Sequence, residues 1–202
     1  MYARIDEEGV GTMATIATTV TTRHRLTVAD FHRMGEVGIF QEDDRVELIE
    51  GEIIDMAPIG SGHGGTVMAL NRLLARALGD RAIVLVQSPV VLPEHSEPEP
   101  DLALLRPRQD FYRSGHPLPG DILLIIEVSD TRLAYDRDVK IPLYARHGIP
   151  EVWLVDLEDR RLHVYTSPSA SGYLECRILA APGMLVPAEL PECPVDLSGL
   201  FP

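Results

Sequence analysis

Lysine is almost absent from this chain. Of its 18 basic residues, Lys140 is the only lysine, and the other 17 are arginine. Positive charge is scarce altogether, because 31 acidic residues leave a formal net charge of −13 at pH 7. This balance argues against a broad basic surface for nucleic acid and against an anionic membrane as a partner. A small contact with phosphates, bridged by a metal ion, is still compatible with it.

The single lysine has two interpretations. A compact ammonium fits beside a phosphate or a metal-bound water, where the broader guanidinium of arginine is no substitute. The plainer interpretation is a leftover lysine on a solvated face. From composition alone, neither interpretation of Lys140 is favoured over the other.

Cysteines, aromatic residues and long apolar runs are also few. Cys176 and Cys193 lie far apart without a CxxC pattern, so neither a zinc site nor a disulfide framework is indicated. Aromatic residues make up 5% of the chain, so few are available to stack against a sugar substrate. A glycosidase that uses two carboxylates is therefore the least favoured of the functions considered. No apolar run reaches membrane-spanning length, and the N-terminus lacks the pattern of a signal peptide. We therefore expect a cytoplasmic protein without a membrane partner.

The length of 202 residues suits one domain, and a hydrophobic content of 45% is enough for a real core. Residues 1–24 are small, polar and threonine-rich, and they show no periodicity. We expect them to be a disordered tail, with residues 25–202 forming a single domain.

The rest of the chain is organised around residues 121–156, which read as strand, helix and strand. The run at 121–128 is nearly all apolar and has the charged Glu127 at its end, and a second apolar strand covers 152–155. Connections this short predict a crossover between parallel strands. In the helical segment between them, Asp136, Lys140 and Tyr144 are spaced four residues apart and share one face.

Pro142 interrupts that helical segment. Proline removes a backbone donor and clashes with the carbonyl four residues earlier. We therefore predict either a kink near residues 137–140 or a helix that begins properly only around Lys140.

Three upstream or neighbouring segments carry further candidates. Residues 45–56 read as an acidic hairpin turning at Gly51, in which Glu47 and Glu52 are open candidates for a cation site. The glycine-rich loop 58–65 lacks the spacing of a phosphate-binding P-loop, and its His63 either caps the next helix or faces the site. Loop 106–120 is the only locally basic stretch and therefore the best candidate for contacting a polyanion.

The residues with the clearest chemistry are two carboxylates and the lysine. Asp101 opens a short strand at 101–105, Glu127 ends the next strand, and Lys140 follows on the helix. Adjacent strands lie about 5 Å apart, so the two carboxylates can share one divalent cation. Mg²⁺ prefers one or two carboxylates together with waters and phosphate oxygens. A lysine beside it can orient the attacking water and offset charge on phosphorus, which outlines a phosphodiesterase site.

The sequence resembles the Uma2 family, a group of restriction-endonuclease-like proteins in the PD-(D/E)XK nuclease superfamily. The matching pieces are VELIEGEIIDMAP (46–58), His63, Pro100-Asp101, IIEVSD (125–130) and DRDVKIPLYARHGIPEVWLVD (136–156). The lysine that the superfamily places two residues after the glutamate is Ser129 here, so Lys140 would reach the same point from the helix.

The resemblance implies a mixed α/β fold, with a restriction-endonuclease-like central sheet flanked by helices and extra hairpins. It also implies DNA cleavage dependent on Mg²⁺ or Mn²⁺, with Asp101 and Glu127 as metal ligands and Lys140 as the catalytic lysine. Four further candidates for the site are Glu52, His63, Asp136 and Tyr144. We expect a homodimer that acts on DNA, and the alternative is a non-catalytic binding or dimerisation module on the same fold.

Overall fold

A six-stranded mixed sheet forms the centre of the protein. The computed structural model describes residues 22–41 and 43–201, so the predicted tail lies outside the described residues apart from 22–24. The helical elements are α1 (Val28–Glu36), α2 (Ser61–Leu78), α3 (Leu133–Tyr135), a π-helical segment (Asp136–Lys140) and α4 (Ile141–Arg146), with 3₁₀ turns at Gly79–Arg81 and Pro119–Asp121. The strands are β1 (Val46–Ile49), β2 (Glu52–Asp55), β3 (Ile83–Val86), β4 (Leu102–Leu105), β5 (Ile122–Ser129), β6 (Glu151–Asp156), β7 (Arg161–Ser169), β8 (Gly172–Leu179), β9 (Met184–Leu185) and β10 (Val195–Asp196).

The main sheet has the order β3-β4-β5-β6-β7-β8. Only β5 and β6 run parallel, with Glu127 opposite Leu154, and the other neighbours are antiparallel. The segment from α3 to α4 connects the parallel pair, as the strand–helix–strand pattern predicted. The mixed α/β fold expected from the sequence is therefore confirmed.

Both faces of the sheet are covered, which explains why every residue of β5 is buried. On one face, Leu70, Leu74 and Leu78 of α2 pack with alternate β5 residues and with Trp153 of β6. On the other face, Ile141 and Tyr144 of α4 pack with Ile125 and Val152. Because strand side chains alternate, Glu127 shares the α4 face with Ile125. No helix among the described residues is long and apolar enough to cross a membrane.

The hairpin β1–β2 turns at Glu50 and Gly51, both in the left-handed region with φ of 50° and 83°. A Cβ atom added at Gly51 would lie 2.6 Å from Cβ of Arg25, so both the backbone angle and the space require glycine. A single antiparallel β-bridge pairs Leu48 of the hairpin with Glu97.

Candidate active site

A cleft opens at the carboxyl end of β5, where the β1–β2 hairpin, the start of α2 and the π-helical segment meet. It contains about 700 Å³ of empty space, counting the solvent at its mouth. Six carboxylates and three permanent cations line it: Glu47, Glu99, Asp101, Glu127, Asp130 and Asp136 against Arg45, Arg132 and Lys140. Negative charge is therefore in excess inside the cleft.

The π-helical segment turns Lys140 into this cleft. The N–H of Ile141 donates to the carbonyl of Asp136, a step of five residues instead of four. Pro142 follows in the first turn of α4 and has no N–H to donate. The predicted disturbance is thus present, and the regular helix begins only after Lys140. The wider turn leaves Lys140 buried, with 4% of its surface exposed.

Lys140 lies between two buried glutamates. Its Nζ is 2.9 Å from Oε1 of Glu127 and 3.3 Å from Oε2 of Glu47. Burial by itself would lower the pKa of Lys140, but the carboxylates of Glu127, Glu47 and Asp136 outweigh that effect and raise it. The lysine therefore carries its charge at neutral pH.

Glu127 is the most perturbed carboxyl group of the cleft. Its pKa is raised above the ordinary value: burial is the largest cause, and the nearby Asp101 and Asp136 add to the increase. The ammonium of Lys140 acts in the opposite direction, as does the hydroxyl of Tyr144, which donates to Oε1 at 2.5 Å. One lysine is thus not enough positive charge for this group of acids.

Asp101 is held rigidly just before β4. Its Oδ2 accepts from the backbone N–H of Val128 at 2.8 Å and lies 3.0 Å from Nε2 of His63, and its Oδ1 is 3.4 Å from Nε2 of Gln87. His63 therefore faces the cleft, and no side chain caps the start of α2. Its hydrogen bond to Asp101 raises the pKa of His63.

The structure brings most of the predicted residues together. Around the cleft lie Asp101, Glu127, Lys140, Asp136, His63 and, through its bond to Glu127, Tyr144. Glu52 does not belong to this group: it lies at the turn end of the hairpin, is exposed and pairs with Arg23 at 3.1 Å. The hairpin acid that reaches the cleft is Glu47, a carboxylate inside an otherwise apolar strand.

Loop 106–120 is in the wrong place for the role predicted for it. Leu105 pairs with Ile122 at the start of β5, whereas Asp101 lies beside Val128 at its end. Four residues of strand separate the loop from the site by about 13 Å. Its Arg106 and Arg108 are also paired with Glu189 and Asp110.

Gln87 is a further contact residue of the cleft that the sequence did not reveal. It follows β3 with a φ of 42°, and its backbone N–H donates to the carbonyl of Asp101. A lone glutamine after an apolar strand carries no signal of such a role. Its position depends on the antiparallel pairing of β3 with β4.

The fold and this acidic cleft define a restriction-endonuclease-like α/β protein. The family model of Uma2, described as "Putative restriction endonuclease", matches residues 28–198, and the chain belongs to that family. Its description supports a nuclease-like function. The fold is similar to the crystal structure of "a putative nuclease belonging to DUF820" from Anabaena variabilis ATCC 29413. That similarity has a TM-score of 0.66 at 18% identity and covers 87% of this chain and 97% of the other. No curated protein matches the chain.

Proposed function

We propose that this cleft hydrolyses phosphodiester bonds of DNA with the help of a divalent cation, Mg²⁺ or Mn²⁺. The observation that carries the proposal is the surplus of carboxylates around one buried lysine. Burial of acids without matching cations is costly, and a divalent ion bound by them would remove that cost.

Carboxylate oxygens are the kind of ligand that such an ion prefers. Within residues 22–41 and 43–201, no group of three or more His, Cys, Asp or Glu side chains is arranged to hold a metal ion. Mg²⁺, however, is commonly bound by only one or two carboxylates together with water and substrate phosphate oxygens. We assign Asp101 and Glu127 as these ligands, because both are oxygen donors and Asp101 directly precedes β4, the strand that pairs with the Glu127 strand β5.

When bound, the ion would lower the pKa of a bound water and withdraw charge from the phosphoryl oxygens. The side chains of the chain supply the rest. Hydrogen bonds from Val128 and His63 keep the Asp101 carboxylate in one orientation. The ammonium of Lys140, held between Glu47 and Glu127, offsets the negative charge that develops on phosphorus.

Arg132 supports contact with a polyanion at the mouth of the cleft. Its Nη1 donates to the backbone carbonyl of Asp55, and its guanidinium lies over the ring of Tyr135. No described carboxylate forms a salt bridge with it, whereas Arg45 is paired with Glu99. The charge of Arg132 is therefore available to a phosphate, and Arg132→Ala should weaken DNA binding and flatten its salt dependence.

Nicking of supercoiled plasmid tests the proposal. The wild-type protein should nick DNA in Mn²⁺ or Mg²⁺ and not in EDTA, and Asp101→Asn should lose both cleavage and calorimetric Mn²⁺ binding. Glu52→Gln is the matched control, since it neutralises an exposed acid outside the cleft. If the wild-type protein neither binds Mn²⁺ nor cleaves any DNA, the non-catalytic module becomes the better interpretation.

A further inference from the structure

The last strand of the main sheet, β8, has an open edge. Among the described residues it pairs with β7 alone. It is eight residues long, whereas β3 at the opposite edge has four. Edge strands are usually kept short or shielded because their free N–H and C=O groups can pair with another chain.

One face of β8 carries an exposed row of apolar side chains and a cysteine. Leu174 is 72% exposed and Ile178 is 53% exposed, and the exposed Cys176 lies between them. Glu175 and Arg177, which point to the opposite face, are exposed as well. An exposed apolar row on a long edge strand is typical of a surface that another strand covers.

We propose that a second copy of this chain covers β8, with the two strands antiparallel and a two-fold axis at Cys176. The sequence Leu-Glu-Cys-Arg-Ile (174–178) is self-complementary about its centre. In this register, Glu175 lies opposite Arg177 of the partner subunit, and Leu174 lies opposite Ile178 of the partner subunit. Both pairs occur twice, as a two-fold interface requires.

Charge selects this register over its neighbours. A slip of two residues in one direction places Glu175 opposite Glu175 of the partner subunit. A slip in the other direction places Arg177 opposite Arg177 of the partner subunit. Like charges directly across from each other are destabilising, whereas opposite charges stabilise the pairing. Arg177 forms no salt bridge among the described residues, although its charge also acts on the carboxyl group of Glu151.

The interface is independent of the cleft. Three strand spacings separate β8 from β5, which carries Glu127, so the two lie about 14 Å apart across the sheet. Covering β8 leaves the mouth of the cleft open. Dimerisation can therefore succeed or fail separately from the proposed nuclease activity.

Charge reversal tests the pairing in the full-length protein. Sedimentation velocity over a range of concentrations should show a dimer for the wild type. Glu175→Arg and Arg177→Glu should each weaken dimerisation by about tenfold or more, because two like-charged pairs replace two opposite pairs. The double variant, with both changes, should restore it. Glu192→Arg, at an exposed position outside β8, controls for the change in net charge.

Crosslinking gives a second measurement. A short bismaleimide should join two subunits through Cys176, and Cys176→Ser should abolish the product, because Cys193 is buried. A wild-type protein that stays monomeric at all concentrations would overturn the proposal. A dimer that is insensitive to both single charge reversals would overturn it too, since another surface would then hold it together.

Discussion

Lys140 and Glu127 form an ion pair in which both side chains are almost fully removed from solvent. Taking two charges out of water is expensive, and their attraction offsets the cost only with further hydrogen bonds. Here Tyr144 and Glu47 provide those additional contacts. An arrangement of this kind is a poor way to gain stability, and it is better understood as a means of fixing an ammonium at the end of β5.

Replacement of Lys140 separates charge from shape. We expect Lys140→Arg to lose nearly as much DNA cleavage as Lys140→Ala, because a planar guanidinium does not fit the place of the ammonium. Lys140→Ala should also destabilise the protein by about 3–5 kcal/mol, since it leaves buried carboxylates unpaired. Plasmid nicking and urea unfolding measure the two effects, with Arg72→Lys on the exposed face of α2 as the control. A fully active Lys140→Arg variant would reduce Lys140 to a structural charge.

Glu47 positions the lysine from the hairpin side. Glu47→Gln removes one of the two charges that hold Nζ, so we expect the turnover rate to fall while Mn²⁺ affinity stays within about threefold, a change of less than 1 kcal/mol. Single-turnover cleavage and calorimetry measure the two quantities. Glu50→Gln is the matched control, because Glu50 lies on the same hairpin but pairs with Arg146 at the surface. Loss of Mn²⁺ binding in Glu47→Gln would instead make Glu47 a ligand.

Glu151 links pH to stability at a distance from the cleft. Burial raises its pKa, although the N–H groups of Ala188 and Trp153 donate to its carboxylate and act in the opposite direction. Because the pKa of Glu151 is raised in the folded state, this group makes its full contribution to stability below the ordinary pKa of 4.5. That contribution is lost as the pH rises through the pKa of the folded state. Relative to wild type, Glu151→Gln should therefore become more stable as the pH is raised from 4 towards 7.

Urea unfolding followed by fluorescence measures this difference, because Trp153 is the only tryptophan in the chain. The indole donates to Glu151 at 2.6 Å, so the probe sits at the titrating group. A stability difference that does not change between pH 4 and 7 would contradict the expected direction.

Gly51 is a position where the turn tolerates no side chain. Gly51→Ala places a Cβ against Arg25 at a backbone φ of 83°, and we expect a loss of about 2 kcal/mol in unfolding free energy. Gly115→Ala is the control, since that glycine has open space and no strained angle. Equal stability of the two variants would show that the hairpin adjusts without cost.

Local patterns in the sequence were sufficient for the centre of the fold. The apolar run before Glu127, the four-residue spacing around Lys140 and the position of Pro142 all act within a few residues of chain. They predicted the parallel strand pair and the irregular helix between its strands. The grouping of Glu127 with Lys140 and Tyr144 follows from the same segment.

The parts that could not be predicted depend on contacts between distant segments. Whether Glu47 or Glu52 reaches the cleft depends on where the hairpin docks, and their local surroundings are similar. Gln87 acts through the pairing of two strands that its own sequence does not specify. Loop 106–120 could have been placed correctly, however, because a strand that begins at Asp101 at the site must end away from it.

The π-helical segment has a consequence for comparing this chain with others. A five-residue step is equivalent to one residue inserted into an ordinary helix, and each residue turns the helix by about 100°. A homologous chain that lacks one residue between Asp136 and Ile141 could keep the same strands, yet its lysine would point away from the glutamate. Conversely, an ungapped alignment could pair Lys140 with a residue that occupies a different place in space. Equivalence at this position must be judged from structures.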